Sequence, residues 1–166
     1  FLGLSMGGIL SLTLASRLAV SGVVAMSTPH SLPDDPRLKI IKLLSLVMPF
    51  MPKGKQEPGS DWFDKESFNQ HVAYPHNPVR SIAELDALLK LMRHSLPKVS
   101  VPVLLIQSRD DNYIIKGSME AIFSSLGSTD KHMLWVEGGG HVITEEPTRH
   151  EVFKAAADFI ARVSGA

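Results

Sequence analysis

The sequence predicts an α/β protein, a mostly parallel sheet with helices on both faces and one small inserted cap. Three observations carry that prediction. Short β-branched or apolar runs at 23–26, 101–106 and 132–136 alternate with stretches of helical periodicity. A glycine-flanked turn, Gly3-Leu4-Ser5-Met6-Gly7, sits between an apolar start and an apolar helix. From His30 to Leu96 the pattern changes, with prolines at 33, 36, 49, 52, 58, 75 and 78 and no strong strand alternation.

Residues 6–20 are apolar almost all round, with Arg17 their only charge, and so predict a buried helix. Gly7, Ser11 and Ala15 recur at every fourth position and give that helix a small face for close approach to a sheet. Val23-Val24-Ala25-Met26 reads as a short buried parallel strand, ended by Ser27-Thr28-Pro29. The proline-rich insert reads as a cap, and Ile82, Leu85, Leu88, Leu89 and Met92 have the spacing of a helix returning the chain to the sheet. Residues 101–106 then read as a core strand, followed by a polar turn and a helix carrying Met119, Ile122, Phe123 and Leu126. Residues 132–136 predict another strand, and Gly138-Gly139-Gly140 a flexible loop. Val152, Phe153, Ala156, Phe159, Ile160 and Val163 mark one face of a terminal amphipathic helix. The expected division is a core of residues 1–29 and 97–166 with a cap and return helix at 30–96.

Composition excludes several classes. Lys+Arg and Asp+Glu both total 17, so the net charge favours neither nucleic acid nor an anionic membrane surface as a partner. Zero cysteines leave no disulfide framework, thiolate metal site or cysteine nucleophile, and fit a reducing compartment such as the cytoplasm. Arg17, Lys42, Pro49 and Pro52 interrupt the most apolar stretches before they reach the roughly 18 residues of a transmembrane span. No metal site is expected, since His71 and His76 lie in a proline-broken stretch without a third ligand. The glycine run at 138–140 lacks the Lys-Ser/Thr of a phosphate-binding loop.

The chemistry lies in three places. Gly3-Leu4-Ser5-Met6-Gly7 has the GxSxG pattern of a nucleophile elbow, a strand-to-helix turn sharp enough to require small residues two before and two after the serine. It would hold Ser5 Oγ exposed above the sheet, with the backbone N–H of Met6 aimed where an oxyanion would form. A serine hydroxyl is a poor nucleophile near neutral pH, so a working elbow needs a histidine base and an acid that orients it. Asp110 and Asp111 follow the strand 101–106, and His141 follows the next strand, in the chain order Ser, Asp, His. His30, His71, His76, His94, His132 and His150 lack that company and read as surface or cap residues.

On Phe1-Leu2-Gly3-Leu4-Ser5-Met6-Gly7-Gly8, the run from Pro102 to Asp111 and Gly140-His141-Val142-Ile143-Thr144, the chain resembles the α/β-hydrolase fold family over nearly its whole length. Within it, the chain resembles bacterial carboxylesterases and monoacylglycerol lipases with a compact cap. The family's acid is usually the fourth residue of a Gly-x-x-Asp-x-x-Val/Ile turn. With Ser108 in the first place, the resemblance implies Asp111 as the acid, Ile114 as the closing residue and Asp110 as an exposed turn carboxylate. It implies a serine hydrolase of short to medium acyl esters or monoacylglycerols, acting through an acyl-enzyme with no metal or organic cofactor. The partner is then a small-molecule ester or lipid-like substrate.

The apolar segment 38–51 is expected either to pack on the core or to line an acyl channel, with Met48, Phe50 and Met51 as substrate-binding residues. Trp62, Phe63 and Phe68 would extend that wall or anchor the cap. Two alternatives share the fold: a C–C bond or other serine hydrolase, which the greasy cap disfavours, and a hydrolase-derived binding or receptor protein with slow turnover. Because the family's elbow follows its fifth strand, the chain is expected to be the C-terminal part of a domain whose first strands are absent. The second oxyanion donor would be absent with them. Expressed alone, these residues are expected to be inactive and prone to aggregate.

Overall fold

The computed structural model describes residues 1–53 and 62–165. In chain order, strand β1 (Leu2–Leu4) leads into helix α1 (Met6–Ala15) and strand β2 (Val23–Met26). Next come α2 (Ile41–Val47), β3 (Phe50–Pro52), α3 (Lys65–Gln70) and β4 (His76–Pro78). Helix α4 (Val79–Ser95) returns the chain to β5 (Val103–Ser108), α5 (Ser118–Ser125), β6 (Lys131–Val136) and α6 (Arg149–Ser164).

The main sheet has the order β1-β2-β5-β6 with every pair parallel, and both of its faces are covered. Alternation along β2 and β5 decides which residue enters which layer. Val23, Ala25, Val103 and Leu105 pack with Ile9 and Leu12 of α1, Leu89 and Met92 of α4, and Met119 and Ile122 of α5. Val24, Met26, Leu104 and Ile106 face the other way, onto Val152, Ala156 and Phe159 of α6. Strands buried on both faces read as unbroken apolar runs, and β2 has all four residues buried.

Three elements depart from the sequence expectation. Helix α1 stops at Ala15 rather than running to 20, and its row Met6, Leu10 and Leu14 is exposed while Ile9 and Leu12 are fully buried. An all-apolar sequence shows no polar stripe, so it could not reveal which row is covered by the sheet and α4. In α6, Phe153 and Ile160 are likewise exposed, leaving Val152, Ala156 and Phe159 as the buried line. The segment between β2 and α4 contains an antiparallel pair, β3 with β4, registered Phe50 to Pro78, Met51 to Asn77 and Pro52 to His76. Its strands are three residues long and each includes a proline, which is tolerated at such an edge but hides the strand from periodicity.

Helix α4 belongs to two apolar clusters. Its Val79 and Ala83 pack on Ile41 of α2, while Leu89 and Met92 belong to the main core. No helix among the described residues is long and apolar enough to cross a membrane.

The elbow glycines separate cleanly by environment. A Cβ on Gly3 would collide with the carbonyl group of Gly7 and come within 2.6 Å of Gly8 N, all backbone. At Gly8 it would run into Thr28 Oγ1, whereas at Gly7 it would meet nothing within 4 Å among the described residues. The close approach therefore rests on Gly3 and Gly8, and the glycine two after the serine is not required for space. Gly3→Ala is expected to cost about 3 kcal/mol or more in urea unfolding, because backbone cannot yield as a side chain does. Gly7→Ala, in an open helical position, is expected to change stability by no more than about 1 kcal/mol.

Candidate active site

Ser5 is the single residue between the end of β1 and the start of α1, with φ 53° and ψ −115°. A left-handed φ is costly for serine, about 1–3 kcal/mol, and persists only where surrounding bonds hold it. Here Ser5 N–H donates to Met26 O at 2.8 Å, and Ser5 O accepts from Gly8 and Ile9 N–H at 3.0 and 3.2 Å. The backbone is thus pinned to β2 on one side and to α1 on the other. Met6 is the first residue of α1, so its N–H is one of the helix's unpaired first-turn donors and lies beside the Ser5 hydroxyl along the chain.

His141 joins the other two predicted residues. Its Nε2 lies 3.0 Å from Ser5 Oγ and its Nδ1 3.0 Å from Asp111 Oδ2. The tautomer that satisfies both contacts carries its proton on Nδ1 and accepts the serine hydroxyl at Nε2. The Asp111 side chain is fully buried and the His141 side chain is 15% exposed. Asp111 is fixed by its own turn, since Oδ1 accepts from Tyr113 N–H at 2.9 Å and Ile114 N–H at 3.1 Å. The Tyr113 ring stacks on His141 with centroids 4.9 Å apart.

The glycine loop before His141 is held residue by residue. Gly138 N–H donates to Asp110 Oδ2 at 2.8 Å, Gly139 O accepts from Ser108 Oγ, and Gly140 N–H donates to Glu146 Oε1 at 3.1 Å. Asp110 is consequently a half-buried brace rather than an exposed turn carboxylate, and Ser108, in place of the family's usual glycine, supplies a second brace. The loop is anchored, where three glycines suggested flexibility.

Ser5 and His141 open into a pocket of about 240 Å³ whose other walls include Lys53, Trp62, His71 and Tyr113. Of these, the sequence offered only Trp62, as a wall or an anchor. It is 8% exposed and packs edge-on to Phe68, with ring centroids 6.0 Å apart. His71, read from sequence as a surface or cap residue, is exposed, lies beside Trp62 with ring centroids 4.9 Å apart and places Nδ1 3.0 Å from Glu145 Oε2. Met48, Phe50 and Met51 do not line this pocket. Phe50 forms a separate apolar groove of about 580 Å³ with Tyr74, Pro75, His76 and Pro78, and Met51 packs against Ile41, Val79 and Ala83. No cluster of three metal-ligating side chains occurs among the described residues.

Residues 1–148 match the hydrolase family described as serine aminopeptidase, S33. The chain belongs to that family. The chain is also similar to a carboxylesterase and a monoacylglycerol lipase. It is 24% identical over 161 residues to a carboxylesterase of Bacillus subtilis (strain 168), covering 97% of this chain and 63% of the relative. It is 26% identical over 164 residues to a thermostable monoacylglycerol lipase of Bacillus sp. (strain H-257), covering 98% of this chain and 62% of that one. The crystal structure of a monoacylglycerol lipase from Paleococcus ferrophilus superposes with a TM-score of 0.82 at 20% identity, over 99% of this chain and 68% of that chain. The fold is that of the α/β-hydrolases. The S33-family chain spans a little under two thirds of the length of its two curated relatives.

Proposed function

We propose that this chain carries the catalytic residues of a serine hydrolase that cleaves carboxylic esters of short to medium acyl chains or monoacylglycerols. The observation that carries the reading is His141 bridging Ser5 Oγ and the buried Asp111 at 3.0 Å on each side. His141 takes the Ser5 proton at Nε2 as Oγ attacks the ester carbonyl, and Asp111 stabilises the imidazolium that results. The Met6 N–H stabilises the tetrahedral oxyanion. His141 then protonates the departing alcohol, and water releases the acid from the acyl-enzyme by the same route. Every proton passes through one imidazole.

The similarity to a carboxylesterase and a monoacylglycerol lipase supports esters over the amide bonds that the family description names. In this reading residues 30–96 act as the cap, and acyl chains too long for the Ser5 pocket continue towards the apolar groove at Phe50.

A p-nitrophenyl ester panel on the full-length protein containing this chain tests the proposal. Turnover is expected to peak at short to medium chain lengths, and Phe50→Ala to shift the optimum by at least two carbons. Proportional loss at every chain length, together with lowered stability, would show that Phe50 only packs. Near-zero turnover throughout would favour the receptor alternative.

A further inference from the structure

Glu146 is a carboxylate with 0% exposure that takes no part in the proton transfers above. Its Oε2 accepts from the backbone N–H groups of Phe63 and Asp64, both at 3.0 Å, in the cap segment that leads into α3. Its Oε1 accepts from Gly140 N–H at 3.1 Å, in the residue before His141. A buried carboxylate left without partners would be costly, so three converging N–H donors indicate a built site. All three are backbone groups, and they come from two segments far apart in sequence. The adjoining contacts repeat the connection. Arg149 Nη1 lies 3.5 Å from Asp64 Oδ2, and at the other end of α3 His71 meets Glu145.

We infer that Glu146 is a positioning residue that couples the seating of the cap arm over the serine pocket to the alignment of His141 with Ser5. The inference rests on the hydrolase reading. One side chain sets two distances at once: lifting the cap arm pulls on the carboxylate that holds Gly140, and displacing Gly140 moves the imidazole that must reach Ser5 Oγ. Misplacing a catalytic group by about 1 Å can cost on the order of a hundredfold in rate. An amide could not replace the carboxylate, because its NH2 would face N–H donors at one of the two ends. Aspartate, one methylene shorter, would not span them.

The test compares wild type, Glu146→Ala and Glu146→Gln in the full-length protein, by steady-state kinetics and residue-resolved amide exchange. In Glu146→Ala, exchange is expected to accelerate at Phe63, Asp64 and Gly140 together while the amides of β5 stay protected. Its kcat is expected to fall about ten- to a hundredfold, with KM changed by less than about threefold. If that variant does not fold, Glu146→Gln carries the test, with the same loss of kcat. A folded variant whose kcat stays within about twofold of wild type would overturn the inference. A wild-type protein without ester turnover would count against the hydrolase reading instead. The exchange pattern then decides the coupling: acceleration at both ends upholds it, and acceleration at one end overturns it.

Discussion

Ser5→Ala and His141→Ala in the full-length protein are each expected to lower ester turnover by at least about a thousandfold, with thermal unfolding within a few degrees of wild type. The two side chains meet at 3.0 Å and neither fills the main core, so removing either deletes a reacting group without opening a large cavity. The left-handed backbone of residue 5 is held by main-chain bonds to Met26, Gly8 and Ile9, which alanine retains. The double variant is expected to be little worse than either single one, because nucleophile and base act as a unit. Turnover within tenfold of wild type in either single variant would contradict the assignment.

Asp111→Asn is expected to lower kcat by about a hundred- to ten-thousandfold, and Asp110→Asn by less than about tenfold. The asymmetry follows from their partners. Asparagine at 111 can still accept from Tyr113 and Ile114 N–H through one oxygen, and then presents NH2 to His141 Nδ1 where a carboxylate oxygen stood. The imidazole proton is driven to Nε2, and that nitrogen can no longer accept the proton of Ser5. Asparagine at 110 can keep an oxygen on Gly138 N–H, so it loosens the loop without changing the tautomer. Equal, modest losses at both positions would refute the choice of Asp111.

Much of this geometry was legible in the sequence because the elbow and its partners lie on local patterns. Gly3 and Ser5 are two apart on one turn, and Asp111 and His141 each follow a strand that its apolar run announces. The order of the parallel strands then brings three distant residues to the same end of the sheet. The rest depends on contacts that no local pattern encodes. Glu146 lies five residues beyond His141 and looks like any helix-preceding acid until Phe63 and Asp64 are placed against it. His71 has no motif, and only the packing of Trp62 and the reach of Glu145 put it in the wall of the Ser5 pocket. The exposed row of α1 was hidden for the opposite reason, since an all-apolar helix carries no record of which side is covered.

Covalent labelling with a small fluorophosphonate, followed by peptide mapping of the full-length protein, tests whether Ser5 is the nucleophile. One phosphonyl group per chain is expected on the peptide containing Ser5, with ester turnover falling in proportion to labelling. His141→Ala should slow the reaction by at least about a hundredfold, because the base that activates the hydroxyl is gone. Ester turnover that survives complete labelling of Ser5, or that is lost with the adduct on another residue, would contradict that role for Ser5.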